Sequence, residues 1–221
     1  MRKRNIALIL AASMMATFAF GGTTAFAAEE GETDSVTVGI MADPENMGPW
    51  SGMSMGRIAV LFTTYEYLIT REDGVAYGVL AKSWDEVDPK TYDVELYDYI
   101  HDAEGNPLTA SDVVFSFESA IATKNYGKLS VIDSVTATDD YHVEFKFNKD
   151  LEIGEFENVM LECAIVTQAA YEASPDQMAT TPVGTSAYLV DSYVPGSEIV
   201  MKDTGDYWQT DESLVHGTSI H

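Results

Sequence analysis

Gly52-Met53-Ser54-Met55-Gly56 fits G-x-S-x-G, the pattern in which a sharp strand-to-helix turn presents a serine as nucleophile. That geometry needs a strand running straight into the serine. Here the approach is Gly48-Pro49-Trp50-Ser51, a proline-bearing loop, although a helix is expected soon after. A secreted serine hydrolase using Ser54 is therefore the alternative reading, and a non-enzymatic one leads. Metal chemistry has less to work with. His101, His142, His216 and His221 are scattered, with no His-Glu-x-x-His spacing and no cysteine pair. Cys163 stands alone, so no internal disulfide can form, and its neighbours Ala164, Ile165 and Val166 predict a buried, inert thiol. Nothing in the sequence calls for a cofactor or a resident metal.

The ends and the charge narrow the class. Arg2, Lys3 and Arg4 precede an uncharged apolar run of 15 residues from Ile6 to Phe20, and Ala25-Phe26-Ala27 follows as a cleavage site. Residues 1–27 read as a secretory signal peptide, which places the protein in the periplasm or outside the cell. Cleavage removes three basic residues and no acid, so the net charge moves from −24 to −27. Such a surface repels phosphate backbones and anionic lipid, which argues against nucleic-acid and membrane-surface roles. The remaining chain of about 190 residues is long enough for one domain with a real core.

Residues 28–34 form an acidic, flexible lead-in. Ser35 to Met41 alternates Val36, Val38 and Ile40 with small or polar residues, a half-buried strand, and a loop with two prolines follows. Ile58, Leu61, Phe62, Tyr65 and Leu68 recur at helical spacing and predict a helix over 57–69 that Glu72-Asp73-Gly74 ends. Strands are expected at 83–87, 91–99, 131–138 and 141–147. Thr109 and Asp112 cap a helix whose stripe is Val113, Val114, Phe117 and Ile121. Two short helices fall within 154–173, around the apolar segment at Cys163. Tyr188 to Tyr193 and Glu198 to Lys202 form a hairpin about Pro195-Gly196-Ser197. It is entered through Pro182-Val183-Gly184-Thr185, where Gly184 can take a positive φ without steric cost. The order is mixed α/β.

Four stretches resemble one family, the extracytoplasmic solute-binding proteins of ABC importers, in the group that binds oligopeptides, dipeptides or nickel (family 5). Ser35 to Pro49 is similar to its first strand and "D-P" loop. Leu80-Ala81-Lys82-Ser83-Trp84 matches "LAxSW". Gly105 to Ser116 matches "DGxPLTAxDVVFS". Pro182 to Tyr188, with Asp206-Tyr207-Trp208 after it, matches "PVGTGPY…DYW". The chain departs from the pattern in two places. Leu96-Tyr97-Asp98-Tyr99-Ile100 replaces "LR-x-G-x-x-F", and Ser186 replaces the second turn glycine.

The resemblance implies lobe I of a two-lobed clamp, with lobe II absent because family members are considerably longer. Residues 35–80 would start the main sheet, 81–180 would form a small β-rich subdomain, and 181–221 would return to the main sheet. The face that lobe II covers would then be partly apolar. Such a clamp closes on solute and docks on membrane permease subunits; a peptide would be held largely through its main chain. By position, the loop after the first strand would line the cleft, so Asp43, Pro44, Glu45, Asn46 and Met47 are the candidate ligand contacts, Pro44 through its carbonyl alone. A plain surface connection explains the same loop equally well. Tyr126 is a lesser candidate, against the simpler reading of a core or surface tyrosine.

Overall fold

The structure, a computed structural model, describes residues 39–215. The expected signal peptide, the lead-in, the first part of the expected first strand and the two C-terminal histidines lie outside these residues. Gly39 to Met41, the part of that strand which is described, is not in a strand.

Four antiparallel strands carry the largest sheet: β3 (Ala81–Asp88), β4 (Thr91–Leu96), β5 (Ile132–Ala137) and β6 (His142–Phe147), in the order β3-β4-β6-β5. Their alternation decides which face is buried. Val143, Phe145 and Phe147 of β6 are buried, and Val94 lies opposite Val143. The helix α2 (Ala110–Thr123) covers that face, with Phe117 edge-on to Phe145 at 4.9 Å. At the same sheet Tyr92 stacks on Phe156 of α3 (Glu155–Met160) at 4.2 Å. A buried strip from Cys163 to Val166 leads into α4 (Gln168–Ala173). Burial leaves the Cys163 thiol fully covered and pushes its pKa well up, so it stays protonated.

The start of α2 is fixed by one carboxylate. Asp112 Oδ2 accepts from the Thr109 N–H at 2.8 Å and the Thr109 hydroxyl at 2.9 Å, while Oδ1 accepts from the Gln168 N–H at 2.8 Å. A single side chain thus caps one helix and holds the entry of another. Asp112→Ala is expected to cost about 1–2 kcal/mol and to lower Tm by about 2–8 °C in thermal unfolding.

One element differs from its sequence pattern. The helix α1 is short, Ile58–Thr64, and Tyr65 is already extended. Every residue from Thr64 to Ile69 is buried, and Glu66 pairs with Ile165 in an isolated antiparallel bridge. A segment buried on all sides has no polar face, so three- and four-residue spacing cannot separate helix from strand. Asp73-Gly74 is the two-residue turn of a hairpin between β1 (Ile69–Glu72) and β2 (Val75–Gly78), with φ of 50° and 83°. Two consecutive positive φ angles mark the mirror-image turn that suits strand twist.

The last hairpin is β7 (Tyr188–Val194) with β8 (Glu198–Asp203), and the pairing slips between Val190 and Ser192. Val190 packs with Met47 and Val60 in a small cluster of buried side chains apart from the main core.

Candidate functional site

The loop from Asp43 to Met47 is built from both ends of the described chain. Asp43 accepts hydrogen bonds from its own loop at the Glu45 N–H (2.7 Å), and from the Tyr193 hydroxyl and Gly196 N–H of the β7–β8 hairpin. These donors, the Tyr193 hydroxyl first, hold the carboxyl below its usual pKa and keep it ionised at neutral pH. Arg57 closes the loop from the other side. Its Nε donates to Pro44 O at 2.9 Å and its Nη1 to Ser51 O at 2.9 Å. Gly56 lies against the same loop so closely that a Cβ there would sit 2.5 Å from Ala42 O.

The five loop candidates therefore differ. Met47 is fully buried; its N–H donates to Ala179 O at 2.8 Å and its carbonyl accepts from the Tyr65 hydroxyl at 3.0 Å. Pro44 is buried, and its carbonyl already accepts from Arg57 and from the Asn46 N–H at 2.6 Å. A carbonyl has two lone pairs, so Pro44 has no main-chain capacity to spare in this conformation, while Met47 has its N–H and one of its two lone pairs committed. Asp43 acts on the loop itself. Glu45 and Asn46 are exposed, and Glu45 sits at φ 58°, in the left-handed region that costs a non-glycine residue energy. Asn46 Oδ1 accepts from the Gly48 N–H at 2.8 Å. Met41, Met53, Met55 and Ile58 expose apolar surface on the segments bordering the loop.

Tyr126 is elsewhere in character. It is 8% exposed, belongs to the main core, and its hydroxyl donates to Pro49 O at 3.4 Å. Ser54 sits in a turn, not at the end of a strand, and its hydroxyl accepts from the Arg57 N–H at 3.3 Å. His101 Nδ1 lies 3.0 Å from Asp102 O, and His142 Nδ1 lies 3.0 Å from Asp93 Oδ2. Neither described histidine is placed to activate that serine.

Two anchors went unseen in the sequence. Tyr193 and Arg57 carry no pattern that marks them. Glu66 does carry one, as a carboxylate inside the apolar run Tyr65 to Ile69. It is buried and accepts from the Tyr207 hydroxyl at 2.6 Å and Trp208 Nε1 at 2.8 Å, which pins the returning chain.

Comparison with known proteins gives the family of the chain. The nickel-binding protein NikA of Staphylococcus aureus is 30% identical over 151 residues, 67% of this chain and 30% of that protein. Di/tripeptide-binding protein 3 of Pseudomonas aeruginosa is 25% identical over 187 residues, covering 70% of this chain and 34% of its own. The structure of the ABC transporter substrate-binding protein CtaP from Listeria monocytogenes superposes with a TM-score of 0.64 at 29% identity, over 76% of this chain and 36% of that one. The chain thus spans about a third of the length of the relatives it matches. The sequence profile described as bacterial extracellular solute-binding proteins, family 5, middle region, matches residues 76–219, and the chain belongs to that family.

Proposed function

We propose that the protein is the solute-binding component of an ABC import system, exported by the segment 1–27, which captures oligo- or dipeptides and presents them to permease subunits in the membrane. Family membership across residues 76–219 carries this reading. A binding protein, not an enzyme, also suits the geometry at Ser54, where a turn stands in place of the strand a nucleophile elbow requires. Among the described residues no helix is long and apolar enough to cross a membrane.

Within that function, the loop over Asp43, Pro44, Glu45, Asn46 and Met47 is the solute contact of this lobe. Glu45 and Asn46 supply the exposed carboxylate and amide that meet a peptide's ammonium and main chain. Asp43, Pro44 and Met47 hold the loop in shape, and Tyr126 supports it from the core through Pro49.

Glu45→Gly separates binding from stability. Glycine adopts positive φ freely, so the variant is expected to match or exceed the parent's stability by up to about 1 kcal/mol. Its peptide affinity should fall about tenfold, the loss of one charge-assisted hydrogen bond. Calorimetric titration with short peptides checks both variants of interest. Asp43→Ala should weaken binding as well, with a drop in Tm as the loop leaves the hairpin. Unchanged affinity in both removes the assignment. Labelling by a fluorophosphonate probe that Ser54→Ala abolishes would promote the hydrolase instead.

A further inference from the structure

The segments that border the 43–47 loop are short of charge in a strongly acidic chain. From Ser35 to Gly56 the charged residues are Asp43 and Glu45 alone, against a net charge of −24 over the whole protein. Asp43 is committed to the β7–β8 hairpin through the Tyr193 hydroxyl and the Gly196 N–H. Glu45, which is exposed, is therefore the carboxylate that this stretch offers to solvent.

Around it the exposed surface is methionine. Met41 is 86% exposed, Met55 63% and Met53 49%, whereas Met47, Met160 and Met178 are fully buried. Main-chain contacts bring the segments together. A Cβ on Gly56 would lie 2.6 Å from Asp43 O, and Arg57 donates both to Pro44 O and to Ser51 O. Met41 directly precedes Ala42 and Met55 directly precedes Gly56, so both flank that contact, with Glu45 just beyond Asp43. Contiguous apolar surface left in solvent marks an interaction site. Methionine, unbranched and flexible, recurs at surfaces that accept varied apolar partners.

We propose that Met41, Met53 and Met55 form an apolar subsite that makes the 43–47 loop selective for peptides whose first residue carries a large apolar side chain. The inference rests on the reading of that loop as the solute contact. An α-ammonium and a side chain leave the same carbon, so a carboxylate bordered by apolar surface complements a free amino terminus of that kind. Glu45 takes the ammonium, and the methionines cover the side chain. A flexible border re-packs around different shapes, so leucine and phenylalanine at that position are received alike, and serine is not.

The test is calorimetric titration of the protein with Leu-Ala-Ala, Phe-Ala-Ala and Ser-Ala-Ala. The first two should bind within about threefold of each other and at least about fivefold more tightly than the third, as burial of most of an apolar side chain allows. In the triple variant Met41→Gln, Met53→Gln, Met55→Gln, which keeps side-chain length at exposed positions, that preference should fall below about twofold. Hydrogen peroxide gives the same readout without mutation. It transfers one oxygen atom to an exposed thioether, which is oxidised to a polar sulfoxide, and is itself reduced to water. Peptide mapping by mass spectrometry should find the added oxygen on Met41, Met53 and Met55 and leave the buried Met47, Met160 and Met178 unmodified. A preference that survives both treatments, or no preference in the parent, overturns the proposal and leaves the loop reading standing. Equal affinity for the amino-acetylated peptides overturns the ammonium contact. Unchanged affinity for all three peptides in Glu45→Gly fails the loop reading itself. A dimer seen by sedimentation and lost in the triple variant, with the peptide preference kept, assigns the methionines to a second copy and overturns the subsite.

Discussion

Gly184→Ala is expected to lower Tm by about 6–12 °C, the effect of about 3 kcal/mol of overpacking in a domain of this size. A Cβ at this position would sit 1.9 Å from Thr64 O and 2.8 Å from the Thr64 carbonyl carbon, with the Tyr65 ring at 3.1 Å. The obstacle is main chain at the end of α1, which is itself buried, so it cannot turn aside as a long side chain would. The glycine of Pro182-Val183-Gly184-Thr185 is therefore needed for close approach. Its φ is not positive, contrary to the turn reading, and its carbonyl accepts from the Ala103 N–H at 3.0 Å. The segment wedges between two parts of the fold before β7 begins. Thermal unfolding followed by circular dichroism measures the effect; a Tm within about 2 °C of the parent would mean that the Thr64 backbone gives way.

Glu66→Ala is expected to cost about 3 kcal/mol, because it strands the Trp208 indole N–H in a dry interior and removes the carboxylate that accepts from the Tyr207 hydroxyl. Both now donate to the carboxylate. Burial raises the Glu66 pKa above its usual value, and the two donors offset that only in part. A carboxyl whose folded pKa is raised favours folding most when protonated. Its contribution is complete below the ordinary glutamate pKa of about 4.3 and is lost as pH rises through the higher folded value. Glu66→Gln does not titrate, so the stability of the wild type relative to that variant should grow between pH 7 and pH 4. Every other titrating group is common to the two proteins and cancels in the difference. Denaturant unfolding at several pH values measures this margin, and a margin that shrinks on acidification would contradict the raised pKa of the buried carboxyl.

Much of the fold was legible because its elements are half-buried. The β5–β6 hairpin alternates Val143, Phe145 and Phe147 with charged residues, and α2 announces itself through Thr109 and Asp112. The segment from Tyr65 to Ile69 is not legible, since a chain buried on every side shows no period, and the Asp73-Gly74 pair next to it suits a helix end in sequence as well as the hairpin turn it forms. The candidate loop was placed by likeness to the family, yet what organises it could not be read. Asp43 meets Tyr193 across 150 residues of sequence, and nothing local to either residue announces the meeting. Local rules also chose the wrong reason for Gly184. A glycine that makes room for a distant carbonyl looks in sequence like one that turns the chain.

The loop assignment is tested most directly by a nuclear magnetic resonance titration of the isotope-labelled protein with short peptides. The account predicts saturable shifts centred on the amides of Glu45 and Asn46, with a dissociation constant between about 10 μM and 1 mM, worth about 4–7 kcal/mol. Peptide binding that leaves those two amides unmoved would contradict it, and so would sub-micromolar affinity in the protein alone.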